Sequence, residues 1–321
     1  MTQTALITGG TGLLGRDVVK EFKRRGWNVV GTGLSRADPP SIVKLDLLNS
    51  EEIENTLDDV KPDVVVHCAA NRSPDSCTSN PDLARSLNAT STSHIARLCH
   101  ARSILLLYIS TDYVFSGRKG EAPYKPDSAT SPPNVYGATK LEGEQEVLKE
   151  APAAEGRGLG VVLRVPVLYG SVSGDDDPSV GAVNVLVPAV WKAQEQTVKT
   201  DHYAVRYPTA TEDVARVCFD VSTLYLQKLE EGKAKELPTI LQFSAEQKMT
   251  KYEMCEVLGE ILGLPTDGLE RHDPSLKDKE GQGTARPYDC HLDTGVLKEL
   301  GISLQTVDFA AWWRRELRAT R

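Results

Sequence analysis

Short apolar runs alternate with longer segments of helical periodicity through the first half of the chain. The apolar runs predict strands at Ala5–Thr8, Asn28–Thr32, Val64–Cys68, Leu105–Ser110 and Gly160–Val165. Apolar residues at three- and four-residue spacing predict helices between them, at Leu14–Arg25, Ser50–Asp59, Pro81–Ala101 and Tyr136–Glu150. Unbroken apolar runs are typical of strands that helices cover on both faces. The pattern therefore predicts an α/β fold built on a Rossmann-type doubly wound parallel sheet.

The pattern becomes less regular after about residue 170. Helical spacing continues at Leu186–Ala193, Asp213–Leu229 and Lys251–Leu262. Thr239–Phe243 has the pattern of a strand that returns to the main sheet, Leu276–Arg286 that of a loop, and Trp312–Arg321 that of a basic terminal helix. We expect a first domain over residues 1–170 and a smaller C-terminal α/β region over residues 171–321, parts of which belong to the main sheet.

Composition excludes several classes of partner. The chain has 321 residues, a formal net charge of -8 and a pI near 5.4, which argues against nucleic acid or an anionic membrane as a partner. Its six cysteines lie far apart without a Cys-x-x-Cys pair, so reduced thiols and no metal site are expected. No apolar stretch approaches the roughly 20 residues of a membrane-spanning helix, and the N-terminus shows no leader pattern. These features predict a cytoplasmic protein.

A glycine-rich turn follows the first predicted strand. The sequence Gly9-Gly10-Thr11-Gly12-Leu13-Leu14-Gly15 joins that strand to the first helix. Without side chains in the way, a pyrophosphate can reach the helix N-terminus, where free backbone N–H groups and the helix dipole stabilise its charge. We therefore expect a dinucleotide to be bound by Gly9, Thr11, Gly12, Leu13, Leu14 and Gly15. Glycine also collects in turns for steric reasons, so a purely structural turn is the alternative.

The residues after the second strand bear on which dinucleotide is bound. An acidic residue here binds the ribose hydroxyls of NAD(H), but the sequence reads Gly33-Leu34-Ser35-Arg36. The hydroxyl of Ser35 and the guanidinium of Arg36 suit a 2′-phosphate, so NADP(H) is favoured over NAD(H). The alternative is that Arg36 is a solvated loop residue. Asp46, at the next strand end, is a candidate acceptor for the adenine amino group or a cap for the following helix.

Tyr136 and Lys140 lie four residues apart at the start of a predicted helix, so they share one face. A phenol titrates near about pH 10, and a nearby positive charge favours its ionised form, so Lys140 would help Tyr136 to transfer a proton. Thr111, at the end of the preceding strand, would bind a carbonyl oxygen of the substrate. The three residues predict a catalytic site, and an exposed helix face is the alternative.

These motifs resemble the extended short-chain dehydrogenase/reductase superfamily. The resemblance rests on Thr8–Gly15, His67–Ala70, Ser110–Phe115 and the pair Tyr136 and Lys140. Within the superfamily, nearly the whole chain resembles two families. The dTDP-4-dehydrorhamnose reductases share the Ser-Thr-Asp-Tyr-Val-Phe run and Tyr207-Pro208-Thr209. The regulatory β subunits of methionine adenosyltransferase share the segment Met249–Met254 in particular, and this second resemblance is the closer.

The resemblance implies roles for individual residues. The resemblance implies that the following residues lie along the bound cofactor: Asp46, Leu47, Cys68, Ala69, Ala70, Tyr136, Lys140 and Val167. In the reductases, Tyr136 would donate a proton to the keto oxygen while Thr111 orients that oxygen and Lys140 holds the ribose. Asn88 matches a position that supports the lysine in many relatives. Asp112, Arg206 and Arg286 are candidate substrate contacts.

Two functions remain open at this stage, because both families keep the tyrosine and the lysine. The resemblance favours a regulator that binds the catalytic subunit of methionine adenosyltransferase. The alternative is an NADPH-dependent reductase of a 4-keto nucleotide sugar. The regulatory subunits have a longer C-terminal tail that reaches the catalytic partner, so Trp312 and Trp313 are either packing anchors or part of a shortened interface.

Overall fold

The computed structural model describes residues 2–149, 159–172, 180–273 and 284–319. Its strands are β1 (Thr4–Thr8), β2 (Asn28–Gly33), β3 (Ile42–Lys44), β4 (Val64–His67), β5 (Leu105–Thr111), β6 (Gly160–Val165), β7 (Leu168–Tyr169), β8 (Val198–Asp201), β9 (Thr209–Ala210), β10 (Ile240–Gln242) and β11 (Leu269–His272). Its α-helices are α1 (Leu13–Arg24), α2 (Ser50–Val60), α3 (Pro74–Ser79), α4 (Pro81–Arg85), α5 (Ser91–Ala101), α6 (Val135–Lys149), α7 (Leu186–Lys192), α8 (Thr211–Glu230), α9 (Lys251–Leu262), α10 (Gly295–Glu299) and α11 (Phe309–Glu316).

The central sheet has seven strands in the order β10-β6-β5-β4-β1-β2-β3. Every pair in it is parallel; Ala5, for example, lies between Val64 and Val29. This arrangement confirms the predicted Rossmann-type sheet. The strand order reverses beside β1, and ligands of such sheets bind at the carboxyl ends of the strands near that reversal.

Alternation along the buried strands places a core on each face of the sheet. Val64 and Val66 of β4 pack in the core that includes α1 and α8, whereas Val65 packs in the core that includes α2 and α5. Helices covering both faces explain why β4 is an unbroken apolar run. The strand β10 extends the sheet beyond β6, as predicted for Thr239–Phe243. The division of the chain near residue 170 stays a prediction.

The C-terminal region has a core of its own, and the tryptophans belong to it. Trp312 and Trp313 are each 2% exposed, and the Trp312 ring lies 4.9 Å from the ring of Tyr169 in an edge-to-face contact. They pack with residues of α7 and α9, including Met254 and Leu258. The two tryptophans are therefore packing anchors rather than an exposed interface.

Several predicted elements differ in detail. The helix predicted at Pro81–Ala101 consists of α4, a π-helical turn at Ser86–Thr90 and α5. The helix α3 was not predicted, because its six residues carry almost no apolar pattern. The terminal helix begins at Phe309, where Asp308 caps it, rather than at Trp312. Most of the loop predicted at Leu276–Arg286 lies outside the described residues. Within the described ranges, no helix is long and apolar enough to cross a membrane.

Candidate functional site

The glycine turn between β1 and α1 is shaped by close backbone contacts. Gly9 has a φ of +65°, and its carbonyl oxygen accepts the N–H of Gly12 at 2.8 Å. A Cβ atom on Gly15 would lie 2.1 Å from that same oxygen, and one on Gly9 would lie 2.9 Å from the Cα of Ala69. Side chains are therefore excluded at Gly9 and Gly15, so the turn packs closely against Ala69, after β4, and α1 packs closely against the turn.

The N-terminus of α1 is open toward the carboxyl edge of the sheet. Gly12 is the N-cap residue, so no side chain caps the first turn of the helix, and that turn contains no acidic residue. A Cβ atom on Gly12 would meet a single neighbour, the carbonyl oxygen of Gly9 at 3.1 Å. Among the described residues, no side chain caps the N–H groups in this first turn, so they can bind an anionic group, which the helix dipole favours.

A cleft of about 440 Å³ runs along this edge of the sheet. Its size is within the range of small-molecule and cofactor sites. Of the predicted site residues, it is lined by Gly9, Thr11, Gly12, Leu13, Leu14, Gly15, Arg36, Asp46, Leu47, Cys68, Ala69, Ala70, Thr111, Asp112, Tyr136, Lys140 and Val167. Ser35, Arg206 and Arg286 do not line it.

Arg36 and Asp46 lie at the end of the cleft near β2 and β3. Arg36 is exposed, in a segment that contains no carboxylate between Gly33 and Arg36. The carboxylate of Asp46 accepts the backbone N–H of Leu48 at 2.9 Å. The cap of α2 is Asn49, whose side chain accepts the N–H groups of Glu51 and Glu52. The alternative role of Asp46 as a helix cap is therefore wrong.

The first turn of α6 brings Tyr136 to the inner end of the cleft. A Cβ atom on Gly137 would lie 2.1 Å from the carbonyl oxygen of Tyr113, so the helix packs directly on the segment that follows β5. The rings of Tyr136 and Tyr113 are 6.0 Å apart in an edge-to-face contact. Burial raises the pKa of the Tyr136 phenol, and a hydrogen bond with Thr111 opposes that rise. This direction is opposite to the one expected from Lys140 alone.

Lys140 is buried one turn further along α6, with 2% of its surface exposed. Burial lowers the pKa of its ammonium to about 7, while the charge of Glu144 opposes that change. The ammonium lies 3.9 Å from the centroid of the Tyr108 ring. A cation over an aromatic face is stabilised by the quadrupole of the ring.

Asn88 is close to this lysine in the fold but does not bind it directly. Its side chain donates to the carbonyl oxygen of Asn71 at 2.9 Å and to Thr139 Oγ1 at 3.1 Å, and it accepts the N–H of Asn71 at 2.8 Å. Its own carbonyl oxygen accepts the hydroxyl of Tyr108 at 3.2 Å. Asn88 therefore ties α6 to the loop after β4, and its link to Lys140 passes through Tyr108.

Asp112 and Arg206 form a buried polar group behind Thr111. The hydroxyl of Thr111 donates to the carboxylate of Asp112 at 3.0 Å. Burial raises the pKa of Asp112 to about 6, although the positive charge of Arg206 opposes that rise. Arg206 is 6% exposed and donates to the carbonyl oxygens of Val205 and Pro287. Arg206 thus supports the inner wall rather than lining the cleft.

Arg286 was predicted as a substrate contact, and in the structure it binds an acidic residue of α3. Its guanidinium donates to both carboxylate oxygens of Asp75, at 3.0 and 2.9 Å. The cleft is also lined by residues that the sequence patterns do not predict, among them Arg72, Leu87, Gly181 and Ala182. These residues lie on loops or on a polar helix, where no local pattern distinguishes a ligand-facing side chain from a solvated one.

A parallel doubly wound sheet, a glycine turn that opens a helix N-terminus and a Thr-Tyr-Lys group at one cleft define an extended short-chain dehydrogenase/reductase. The family model for the RmlD substrate binding domain matches residues 3–318, so the chain belongs to this family.

Comparison with known proteins adds two kinds of relative. Methionine adenosyltransferase 2 subunit beta of Danio rerio is 38% identical over 304 residues, which are 95% of this chain and 87% of that protein. A dTDP-4-dehydrorhamnose reductase of Streptomyces griseus is 34% identical over 211 residues, which are 65% of this chain and 62% of that protein. The crystal structure of dTDP-4-dehydrorhamnose reductase from Bacillus anthracis in complex with NADP superposes with a TM-score of 0.79. It covers 100% of both chains at 20% identity, and this likeness shows the shared fold.

Proposed function

We propose that this chain is an NADP(H)-binding regulatory subunit of a methionine adenosyltransferase. The observation that carries the regulatory role is the 38% identity to the vertebrate β subunit over 95% of the chain, compared with 34% over 65% for the reductase. With 304 of 321 residues aligned, this likeness extends into the C-terminal region as well as the dinucleotide-binding half of the chain.

The residues of the cleft suit a dinucleotide. The N–H groups of Leu13 and Leu14, in the first turn of α1, would hold the pyrophosphate, as helix N-termini do for other anions. Arg36, at the end of the cleft, would hold a 2′-phosphate, which favours NADP(H) over NAD(H). Further along the cleft, the adenine would lie beside Asp46 and Leu47, the middle of the cofactor beside Cys68, Ala69 and Ala70, and the nicotinamide half beside Tyr136, Lys140 and Val167.

The regulatory role is tested with the catalytic subunit of methionine adenosyltransferase from the same organism. The two purified proteins should migrate as one complex in size-exclusion chromatography, and the chain should change the kinetics of S-adenosylmethionine synthesis. If the proteins migrate separately and the kinetics do not change, the regulatory role is wrong.

A second candidate function is the reduction of a 4-keto nucleotide sugar, and one observation favours it. Thr111, Tyr136 and Lys140 line the same cleft, with Asp112 beside Thr111. Bound NADPH would supply the hydride. The phenol of Tyr136 can give a proton to a developing alkoxide, Thr111 can orient the keto oxygen, and Lys140 can fix the cofactor ribose.

The test for the reductase is oxidation of NADPH in the presence of dTDP-4-keto sugars. A rate that falls at least about a hundredfold in Tyr136→Phe would support this function, because general acid catalysis contributes on that scale. No oxidation above the rate without sugar, or a rate equal in both proteins, would count against it. The variant also serves as a control for regulation, since loss of one hydroxyl should leave the partner surface intact.

A further inference from the structure

The charge of Lys140 is buried without an acidic partner in the described part of the chain. The acidic residue one turn further along the same helix, Glu144, is bound by Arg164 through two hydrogen bonds of 2.7 and 2.9 Å. Glu144 also accepts the hydroxyl of Ser110 at 2.5 Å, so its oxygens are engaged by other groups. What lies against the ammonium is the face of Tyr108, 3.9 Å from its centroid.

Tyr108 is held in this position from several sides. It is fully buried in β5, and its hydroxyl donates to the carbonyl oxygen of Asn88 at 3.2 Å, with the carbonyl oxygen of Lys140 at 3.4 Å. A Cβ atom on Gly143 would lie 2.3 Å from this hydroxyl oxygen and 2.5 Å from the carbonyl oxygen of Asn88. The glycine three residues after Lys140 therefore makes room for the tyrosine beneath α6.

We propose that Tyr108 is a positioning residue of this site: the face of its ring holds the ammonium of Lys140 at the cleft, where a carboxylate would otherwise be needed, and so supports binding of the dinucleotide. The proposal rests on the proposed binding of NADP(H). It assigns the ring, rather than the hydroxyl, as the part of Tyr108 that positions Lys140.

The pH dependence of binding follows from the groups around the ammonium. Those that face it are His67 and Cys68 at the end of β4, Cys77 of α3, Tyr108 of β5, and Tyr136 and Glu144 of α6. Burial keeps the pKa of His67 low, at about 3, and raises that of Cys68 to about 12, so neither carries a charge near neutrality. Lys140, whose pKa is about 7, changes its charge between pH 6 and pH 9, and its cationic form should bind the anionic dinucleotide more tightly.

The experiment compares NADPH binding by fluorescence titration from pH 6 to pH 9 in three proteins: wild type, Tyr108→Phe and Tyr108→Leu. Tyr108→Phe keeps the ring and loses the hydroxyl, so its affinity and pH profile should match those of the wild type. Tyr108→Leu loses the ring, and its affinity at neutral pH should fall about tenfold or more. Its affinity should also begin to decline at a lower pH, because the lysine then loses its proton more readily.

The affinities and pH profiles of the three proteins separate the possible outcomes. If the wild type does not bind NADPH, the proposed dinucleotide binding fails. If the wild type binds and Tyr108→Leu keeps the same affinity and pH profile, Tyr108 does not position the lysine. Equal losses in Tyr108→Phe and Tyr108→Leu would also overturn the proposal, because the hydroxyl would then be the part that matters. Should Tyr108→Leu fail to fold, phenylalanines carrying increasing numbers of ring fluorines at this position replace it. Affinity should fall with each fluorine, and a constant affinity would refute the role of the ring.

Discussion

The carboxyl group of Asp112 is buried beside Thr111, and its protonation depends on the fold. Its pKa in the folded chain, about 6, lies above the ordinary value of 3.8. The folded chain therefore binds this proton more tightly than the unfolded chain does, and the contribution of Asp112 to stability falls as the pH rises from about 4 to 6.

Asp112→Asn should remove this dependence. The free energy of unfolding is measured with urea for both proteins at pH 4 and at pH 7. Between pH 4 and pH 7, the free energy of unfolding of the variant should rise relative to that of the wild type by on the order of 2 kcal/mol. Asp59 is exposed, and Asp59→Asn is the control, whose free energy of unfolding should differ from that of the wild type by the same amount at both pH values. If the wild type and Asp112→Asn differ by the same amount at both pH values, Asp112 does not titrate as described.

At the scale of the element, the start of α1 offers a matched pair of glycines. A methyl group on Gly12 would meet one oxygen at 3.1 Å and otherwise extend into the cleft, whereas one on Gly15 would lie 2.1 Å from the carbonyl oxygen of Gly9. Gly12→Ala should therefore cost less than about 1 kcal/mol of stability but weaken NADPH binding at least about tenfold. Gly15→Ala should lower the melting temperature markedly. Equal affinity in the wild type and Gly12→Ala would show that the helix N-terminus does not hold the ligand.

A buried ion pair joins two other elements, the helix α6 and the strand β6. Glu144 and Arg164 are nearly fully buried, with side-chain exposures of 1% and 3%. Arg164→Met should cost about 3–5 kcal/mol of stability, because it leaves the carboxylate buried without its cationic partner. The double variant Glu144→Gln/Arg164→Met should recover a large part of that loss, as measured by chemical denaturation. The exposed pair of Arg85 and Glu142 is the control, and Arg85→Ala should cost less than about 1 kcal/mol. A double variant as unstable as Arg164→Met would contradict this account.

At the scale of the whole molecule, the sequence predicts the sheet better than the contacts of the site. Buried parallel strands such as Val64–His67 are apolar runs, so the period of the chain marks them within a residue or two. The short helix Pro74–Ser79 has no such pattern and depends on Ser73 as its cap. The contacts between side chains at the site depend on tertiary packing, which the sequence pattern does not show. Tyr108 is one apolar residue among many in its strand, and its contact with Lys140 joins positions 32 residues apart along the chain.

The predicted substrate contacts are a second case in which the sequence does not predict the partners of a side chain. Arg206 and Arg286 are basic residues of an acidic chain, which makes them candidate contacts for an anionic substrate. In the structure, Arg286 binds Asp75 and Arg206 binds backbone carbonyl oxygens. Which partner a long cationic side chain takes depends on neighbours distant in sequence, and periodicity carries no information about them.

Calorimetric titration with NADPH and with NADH, on the wild type and on Arg36→Ala, measures directly whether the cleft is an NADP(H) site. The wild type should bind NADPH at least about tenfold more tightly than NADH, because a guanidinium and a 2′-phosphate form a charge-assisted hydrogen bond. In Arg36→Ala this preference should disappear while NADH binding stays unchanged. If the wild type binds neither dinucleotide, or binds both equally well, the assignment of the cleft as an NADP(H) site is contradicted.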